Sequence, residues 1–497
     1  MDAPREAIGE VSYPGEGNDM GKRATNDSSC IAKPAHFGQN AKALDSLIEK
    51  QAPEKAIADL AKLYWDDPAG CWDSAAGSKA LACPIKEVST IGVYQYRMGI
   101  GGAERVVAEQ VRTWKALGKS VVFFADEPRE ACQQELPDDI AWVELPAFDR
   151  VKAHTYKKRA NAIAQAVREH GVDALVHNQW WNPLIGWDAM LFKALGVPVC
   201  LVCHSVYMLM FHEANPREFD HSRIMRYLDG LVTLSEFDKR FWERFNPRIF
   251  QANNPVTIAA REEQRSTLSS NNIVWVGRIS DFDKQPAEAI EIFARVALRK
   301  PEATLTIVGA ASGQREIQRL RALAQKLKVD DRVSIVEPGC DVERYYREAS
   351  VYLITSRLEG WSLTLAESKA FGLPCVMYEL DYLTLTAGRR GILAAPQGDR
   401  DGAAKAICRL LDDDALRHRL GQEAFDHLKE IEAFDFGAFW QNVFDALAQG
   451  SPKRNGFELD DEQWNLLLEG FKESVDKALF SPVKPYAKRK LTRALRR

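Results

Sequence analysis

From Ile91 onward the chain alternates short apolar runs with stretches in which apolar residues recur every three to four positions. That alternation predicts strand–helix–strand units and a parallel sheet. The strands fall at 91–95, 120–124, 173–177, 197–203 and 230–234. Helices fill the intervals: Val107, Val111 and Trp114 line one face of the first, and Gly118 stands where a C-terminal cap belongs. Turn residues from Gln251 to Val256 close this half. After a polar linker, Glu262 to Asn272, the pattern restarts with strands at 273–276, 303–308, 333–336, 351–355 and 374–378. Ile290, Phe293, Ala294 and Ala297 form the buried face of its first helix. Residues 414–449 read as helical and return toward the first half, and Phe457 to Phe480 reads as one more helix. Before Ile91 the pattern is different: residues 1–38 lack periodicity and predict a loose tail, Ala41–Trp65 carries Leu44, Leu47, Ile48, Ile57, Leu60 and Ala61 at helical spacing, and 66–87 is turn-rich.

These readings divide the chain into 1–87 (tail and accessory helix), 88–260, 270–430 and 431–497 (C-terminal helices and tail). The fold class expected is α/β, with two Rossmann-like doubly wound domains facing a cleft and helical extensions at both ends. Ligands bind such sheets outside the carboxyl ends of their strands, so the chemistry belongs in that cleft.

Composition narrows the partners. With 497 residues, 46% hydrophobic and 27% charged, the chain is an ordinary multidomain globular protein. A net charge of −4 gives no chain-wide attraction to nucleic acid, and none is expected as a partner. The 9 cysteines are odd in number, scattered and mostly set in apolar runs, which predicts buried thiols of a reducing compartment. Glu6, Glu10 and Glu16 near the start, without a basic region or apolar core, argue against a secretory signal. No apolar run reaches the roughly 18 residues of a spanning helix. A cytoplasmic protein is expected. The tail from Lys484 to Arg497 carries Lys484, Lys488, Arg489, Lys490, Arg493, Arg496 and Arg497 with no acidic residue. At an anionic membrane each such charge adds up to about 1 kcal/mol, which points to peripheral contact; a solvated or RNA-contacting tail is the alternative.

The strongest chemical signal is Glu359-Gly-Trp-Ser-Leu-Thr-Leu-Ala-Glu367, which follows the strand at 351–355 and leads through a Leu/Ala-rich helix to Gly372-Leu-Pro374. If the helix begins near Ser362, the N–H groups of 361–363 have no partner within it and face the cleft, where an anion can accept them. Upstream, Val276-Gly-Arg278-Ile-Ser-Asp-Phe-Asp-Lys284 places a guanidinium and an ammonium just after the first strand of the second domain. Fixed cations at that point can neutralise a departing diphosphate without a metal. Gly99-Ile-Gly101-Gly102-Ala-Glu-Arg105 joins the first strand to the first helix. It is not a dinucleotide fingerprint, because Glu104 stands where the third glycine belongs. His204 lies at a strand end, and Trp180, Trp181 and Trp187 follow the strand end at His177, where they either stack on an acceptor ring or pack.

Together these segments resemble the retaining glycosyltransferases of family 4, with the GT-B fold, over roughly residues 90–430. The resemblance implies a UDP- or GDP-linked sugar donor and a glycan, lipid-linked or cell-wall acceptor, with no other cofactor. It implies that Glu367 accepts the ribose hydroxyls, that Glu359 borders the donor sugar, and that Gly101, Gly102, Gly360, Trp361, Ser362 and Leu363 line the donor. Arg278 and Lys284 would hold the diphosphate, and His204 would sit beside the reacting sugar. The family commonly has Gly-Phe-Gly where this chain has Gly360-Trp361-Ser362, and 378–386 lacks its usual Gly-rich turn. Two other matches fail on context. Cys200-Leu-Val-Cys203-His204 fits a haem attachment pattern but lies within a predicted buried strand. Asp281-Phe-Asp283 fits a metal motif but sits between Arg278 and Lys284, so a turn and no metal are expected. A non-catalytic sugar-nucleotide sensor or scaffold of the same fold is the alternative to an enzyme.

Overall fold

A computed structural model describes residues 87–147, 156–179, 184–207, 228–243, 246–281, 283–311, 313–336 and 341–450, together with Met225. The predicted tail, the helices at 41–65 and 457–480, Trp180, Trp181, the side chain of Trp187 and the basic C-terminus lie outside them.

The first domain runs β1 (Thr90–Tyr94), α1 (Gly102–Ala116), β2 (Ser120–Ala125), β3 (Ala141–Glu144), α2 (Tyr156–His170), β4 (Ala174–His177), α3 (Leu184–Ala194), β5 (Val199–Val202), β6 (Gly230–Thr233), α4 (Glu236–Trp242) and β7 (Ile249–Gln251). Its seven strands are parallel, in the order β3-β2-β1-β4-β5-β6-β7. The second domain runs β8 (Asn272–Val276), α5 (Pro286–Ala297), β9 (Thr304–Val308), α6 (Gln314–Lys326), β10 (Val333–Val336), α7 (Val342–Glu348), β11 (Val351–Ile354), α8 (Leu363–Ala370), β12 (Cys375–Tyr378), β13 (Ile392–Ala395) and α9 (Arg400–Asp412). Its six strands are also parallel, in the order β10-β9-β8-β11-β12-β13.

Covered on both faces by helices, the central strands read as unbroken apolar runs: β4, β5, β6, β11 and β12 are buried at every position. The strands expected from the sequence lie where they were placed, within one or two residues at each end. β3, β7 and β13 were not expected. All three are short edge strands with partly buried residues, so they need no long apolar run, and neighbouring strands set their register.

Two further helices, α10 (Asp414–Glu432) and α11 (Phe436–Ala448), complete the described chain. α10 packs on α8 and α9 of the second domain. α11 turns back to the first, where Trp440, Val443, Phe444 and Leu447 share a core with Val107, Val111 and Trp114 of α1. Trp440 meets Trp114 edge-on with ring centroids 5.0 Å apart, a geometry that adds about 0.5–1.5 kcal/mol to the burial of two large rings. The domains also share apolar contacts directly. Val106 and Leu234 of the first belong to one buried cluster with Trp361, Leu363, Leu380 and Leu383 of the second.

Candidate functional site

In each sheet the strand order reverses once, and loops leaving the two strands at that point diverge and open a crevice. In the first domain the reversal lies between β1 and β4. β1 leads to the Gly-rich turn, and β4 leads to Asn178 and Gln179. In the second it lies between β8 and β11, which lead to Arg278 and to the Glu359 loop. Topology therefore brings the separate motifs to one place.

The cation segment is held by its own carboxylates. Arg278 is about half exposed, and its Nη2 donates to Oδ2 of Asp283 at 2.9 Å. Burial alone would raise the pKa of Asp283, but the charges of Lys284 and Arg278 hold it below its usual value. Lys284 reaches across to Oε1 of Glu359 at 2.6 Å, and the Ser356 hydroxyl donates to the same oxygen at 2.7 Å. At the end of β11, the Thr355 hydroxyl donates to the carbonyls of Lys284 and Gln285 at 2.8 and 2.9 Å, which pins the loop carrying the lysine. Asp281 pairs with Arg319, so the two carboxylates of the Asp-x-Asp sequence turn to different guanidinium groups.

The helix of the Glu-x7-Glu motif begins one residue later than expected. Ser362 is the residue before α8 and has φ +72° and ψ +79°, the left-handed region. Its carbonyl accepts from the N–H groups of Leu365 and Ala366. The helix therefore leaves the N–H groups of Leu363 and Thr364, rather than those of 361–363, without intrahelical acceptors. The Trp361 side chain does not line an open surface: it is buried, and its Nε1 donates to Oδ1 of Asn253 at 3.3 Å. Glu367 is nearly fully buried. Arg105 of α1 approaches its Oε1 at 2.6 Å, Thr257 donates to the same oxygen at 3.1 Å, and Tyr346 donates to Oε2 at 3.0 Å. Tyr352 lies 5.8 Å from Tyr346 and donates to the carbonyl of Val276, two residues before Arg278, so the arginine segment and Glu367 are joined through two tyrosines.

The first domain closes onto this surface. A Cβ on Gly102 would lie 3.2 Å from Cδ1 of Leu363, and one on Gly360 only 2.3 Å from the backbone oxygen of His204. Gly101 is the residue before α1 and is extended. The His204 ring contacts Oδ1 of Asn178 through Nε2 at 2.8 Å. Burial pushes its pKa down to about 4, so the ring is neutral at pH 7. Cys200 and Cys203 are fully buried free thiols with pKa values raised by burial, which is incompatible with haem attachment. No group of three or more potential metal ligands occurs among the described residues.

Thus Gly101, Gly102, His204, Lys284, Glu359, Gly360, Leu363 and Glu367 meet at one interdomain surface, with Arg278 beside it. Sequence reasoning missed the residues that hold them. Arg105 ended the Gly-rich motif without a role, and Asn178, Thr257 and Tyr346 carry no local signal because their partners are distant in sequence; Ser356 lies only three residues before Glu359 and was passed over.

Residues 257–427 match the family described as glycosyl transferases group 1, and residues 100–259 match glycosyltransferase family 4. The chain is 28% identical over 305 residues to an uncharacterized glycosyltransferase of Haemophilus influenzae, covering 58% of this chain and 80% of that protein. It is 36% identical over 317 residues to a D-inositol 3-phosphate glycosyltransferase of Acidothermus cellulolyticus, covering 57% and 68%. Two further relatives are matched over only 24% and 43% of their lengths. Among solved structures, Anabaena HepE in complex with UDP and glucose superposes with a TM-score of 0.57 at 14% identity, over 72% of this chain and 99% of that one.

Proposed function

Since the chain belongs to glycosyltransferase family 4 and has the GT-B fold, we propose that it transfers a sugar, with retention of configuration and without a metal ion, from a UDP- or GDP-linked donor to a glycan, lipid-linked or cell-wall acceptor. The observation that carries this reading is the meeting of the Gly-rich turn and Arg105 with Leu363 and Glu367, beside the Lys284–Glu359 pair.

As the glycosidic bond breaks, charge develops on the departing diphosphate, and preorganised donors at that point lower the barrier most. Arg278, Lys284 and the leading N–H groups of α8 supply them. Asp281 and Asp283 each face an arginine, which supports charge neutralisation by side chains. A neutral His204 beside the sugar offers a hydrogen bond without adding charge. Glu367 carries about four lone-pair directions, and three are already used by Arg105, Thr257 and Tyr346. A ribose diol needs two, so one contact must give way, and Arg105 is the partly exposed one.

Thermal shift with UDP, GDP and their sugars should identify the donor. With it, Arg278→Ala and Glu367→Ala should abolish turnover in a folded protein, and turnover by the unmodified chain should survive EDTA. Full activity in either variant contradicts the assignment, and nucleotide binding without any transfer or donor hydrolysis favours the sensor.

The basic segment Lys484 to Arg497 supports peripheral attachment to anionic lipid. Sedimentation with phosphatidylserine vesicles should lose the protein when these cations are replaced by glutamine; unchanged sedimentation rejects the attachment.

A further inference from the structure

Tyr382 follows β12 within the segment that lacks the family's Gly-rich turn. Its hydroxyl accepts the N–H of Glu359 at 3.1 Å and donates to the carbonyl of the same residue at 3.1 Å. One hydroxyl thus satisfies both backbone groups of the loop residue whose carboxylate is held by Lys284 and Ser356. Burial raises the pKa of Tyr382 and outweighs the opposing hydrogen bond from the Glu359 N–H, so the hydroxyl keeps its proton.

The ring of Tyr382 faces the other domain. Phe237 of α4 stacks on it with centroids 5.6 Å apart and planes at 27°. Phe237 in turn lies 5.2 Å from Tyr207, whose ring stacks at 3.8 Å on Phe241 of the same helix and whose N–H donates to Asp238. Tyr207 is three residues after His204. Beside this line, the Thr384 hydroxyl donates across the domain boundary to the carbonyl of Leu234 at 3.4 Å. A continuous set of contacts therefore runs from the His204 segment of the first domain to the Glu359 backbone of the second.

We propose that Tyr382 is a positioning residue that sets Glu359 against the donor sugar, and that Phe237 seats Tyr382, so that domain closure and placement of Glu359 occur together. This rests on Glu359 bordering the donor sugar, as proposed above. Neither aromatic residue needs to touch substrate. Each acts through a backbone that would otherwise have to find its partners in solvent.

Two variants of the full chain separate the links: Tyr382→Phe keeps the ring and removes both hydrogen bonds, and Phe237→Ala removes the seat from the other domain. Amide hydrogen exchange in peptides covering 356–362 should quicken at Glu359 in both, by about tenfold in Tyr382→Phe. Hydrolysis of UDP-glucose and GDP-mannose should show kcat lowered about tenfold, with the Kd of UDP or GDP unchanged, because Arg278, Lys284 and Glu367 are intact. Unchanged exchange at Glu359 in Phe237→Ala overturns the coupling, and unchanged kcat in Tyr382→Phe overturns the positioning role. An unmodified chain that binds neither nucleotide and hydrolyses neither sugar overturns the donor reading beneath both.

Discussion

His177, His204 and His427 lose their basicity to the same cause. Burial pushes their pKa values down to about 3, 4 and 4, and the charges of Lys369 and Arg390 add to the effect at His427. In the unfolded chain each titrates near about 6.5. Below that pH the unfolded state binds protons that the folded state refuses, so their contribution is complete above about 6.5 and is lost as pH falls toward 4. Asp238 works in the opposite sense, because burial raises its pKa to about 6 and the folded form holds a proton that the unfolded form releases. Asp126, also raised by burial, acts in the same sense as Asp238, and three histidines against these two carboxyls leave a net loss. Urea unfolding at several pH values should show stability falling between pH 6.5 and 4.5, with a shallower fall in His177→Asn. Stability that rises over that interval would refute the account.

At the scale of elements, α8 shows what the position before a helix can demand of its backbone. Ser362 holds a left-handed backbone just before the helix, at a cost of roughly 1–2 kcal/mol for a residue with a Cβ. Glycine, which the family commonly has here, adopts that conformation readily. Ser362→Gly should therefore stabilise the protein by about 1 kcal/mol, and Ser362→Val should destabilise it more than Ser362→Ala. The melting temperatures of the three variants test this; valine performing as well as glycine would show that the backbone is not held as described. The same element displays what sequence patterning conveys well. Strand, turn and Leu/Ala-rich helix were legible from the order of apolar and turn residues, and the point of helix entry moved by a residue.

At the scale of the molecule, Gly360 lies where the backbones of the two domains come close. An added Cβ would meet the His204 oxygen at 2.3 Å, and that atom belongs to a backbone that cannot swing aside. Gly360→Ala should hold the domains apart, enlarge the radius of gyration in solution scattering and lower turnover by at least about tenfold, while each sheet remains folded. An unchanged scattering profile with full activity would show that this contact is not needed for closure. α11 provides the opposite constraint, because its core with Trp114 ties the end of the chain to the first domain after α10 has packed on the second.

The periodicity of apolar residues determined by itself that there are two successive parallel sheets, because burying both faces demands runs such as Val199–Val202 and Val351–Ile354. The motifs carrying Glu359, Glu367 and Lys284, read with the family resemblance, likewise named residues that meet. Tertiary structure alone decided what each of them touches. Arg105 and Glu367, Tyr382 and Glu359, Phe237 and Tyr382, and His204 and Gly360 are pairs separated by 23 to more than 250 positions. Local pattern records whether a side chain is buried; it carries no record of which distant group shares the burial, since that follows from the strand order and from how one domain closes on the other.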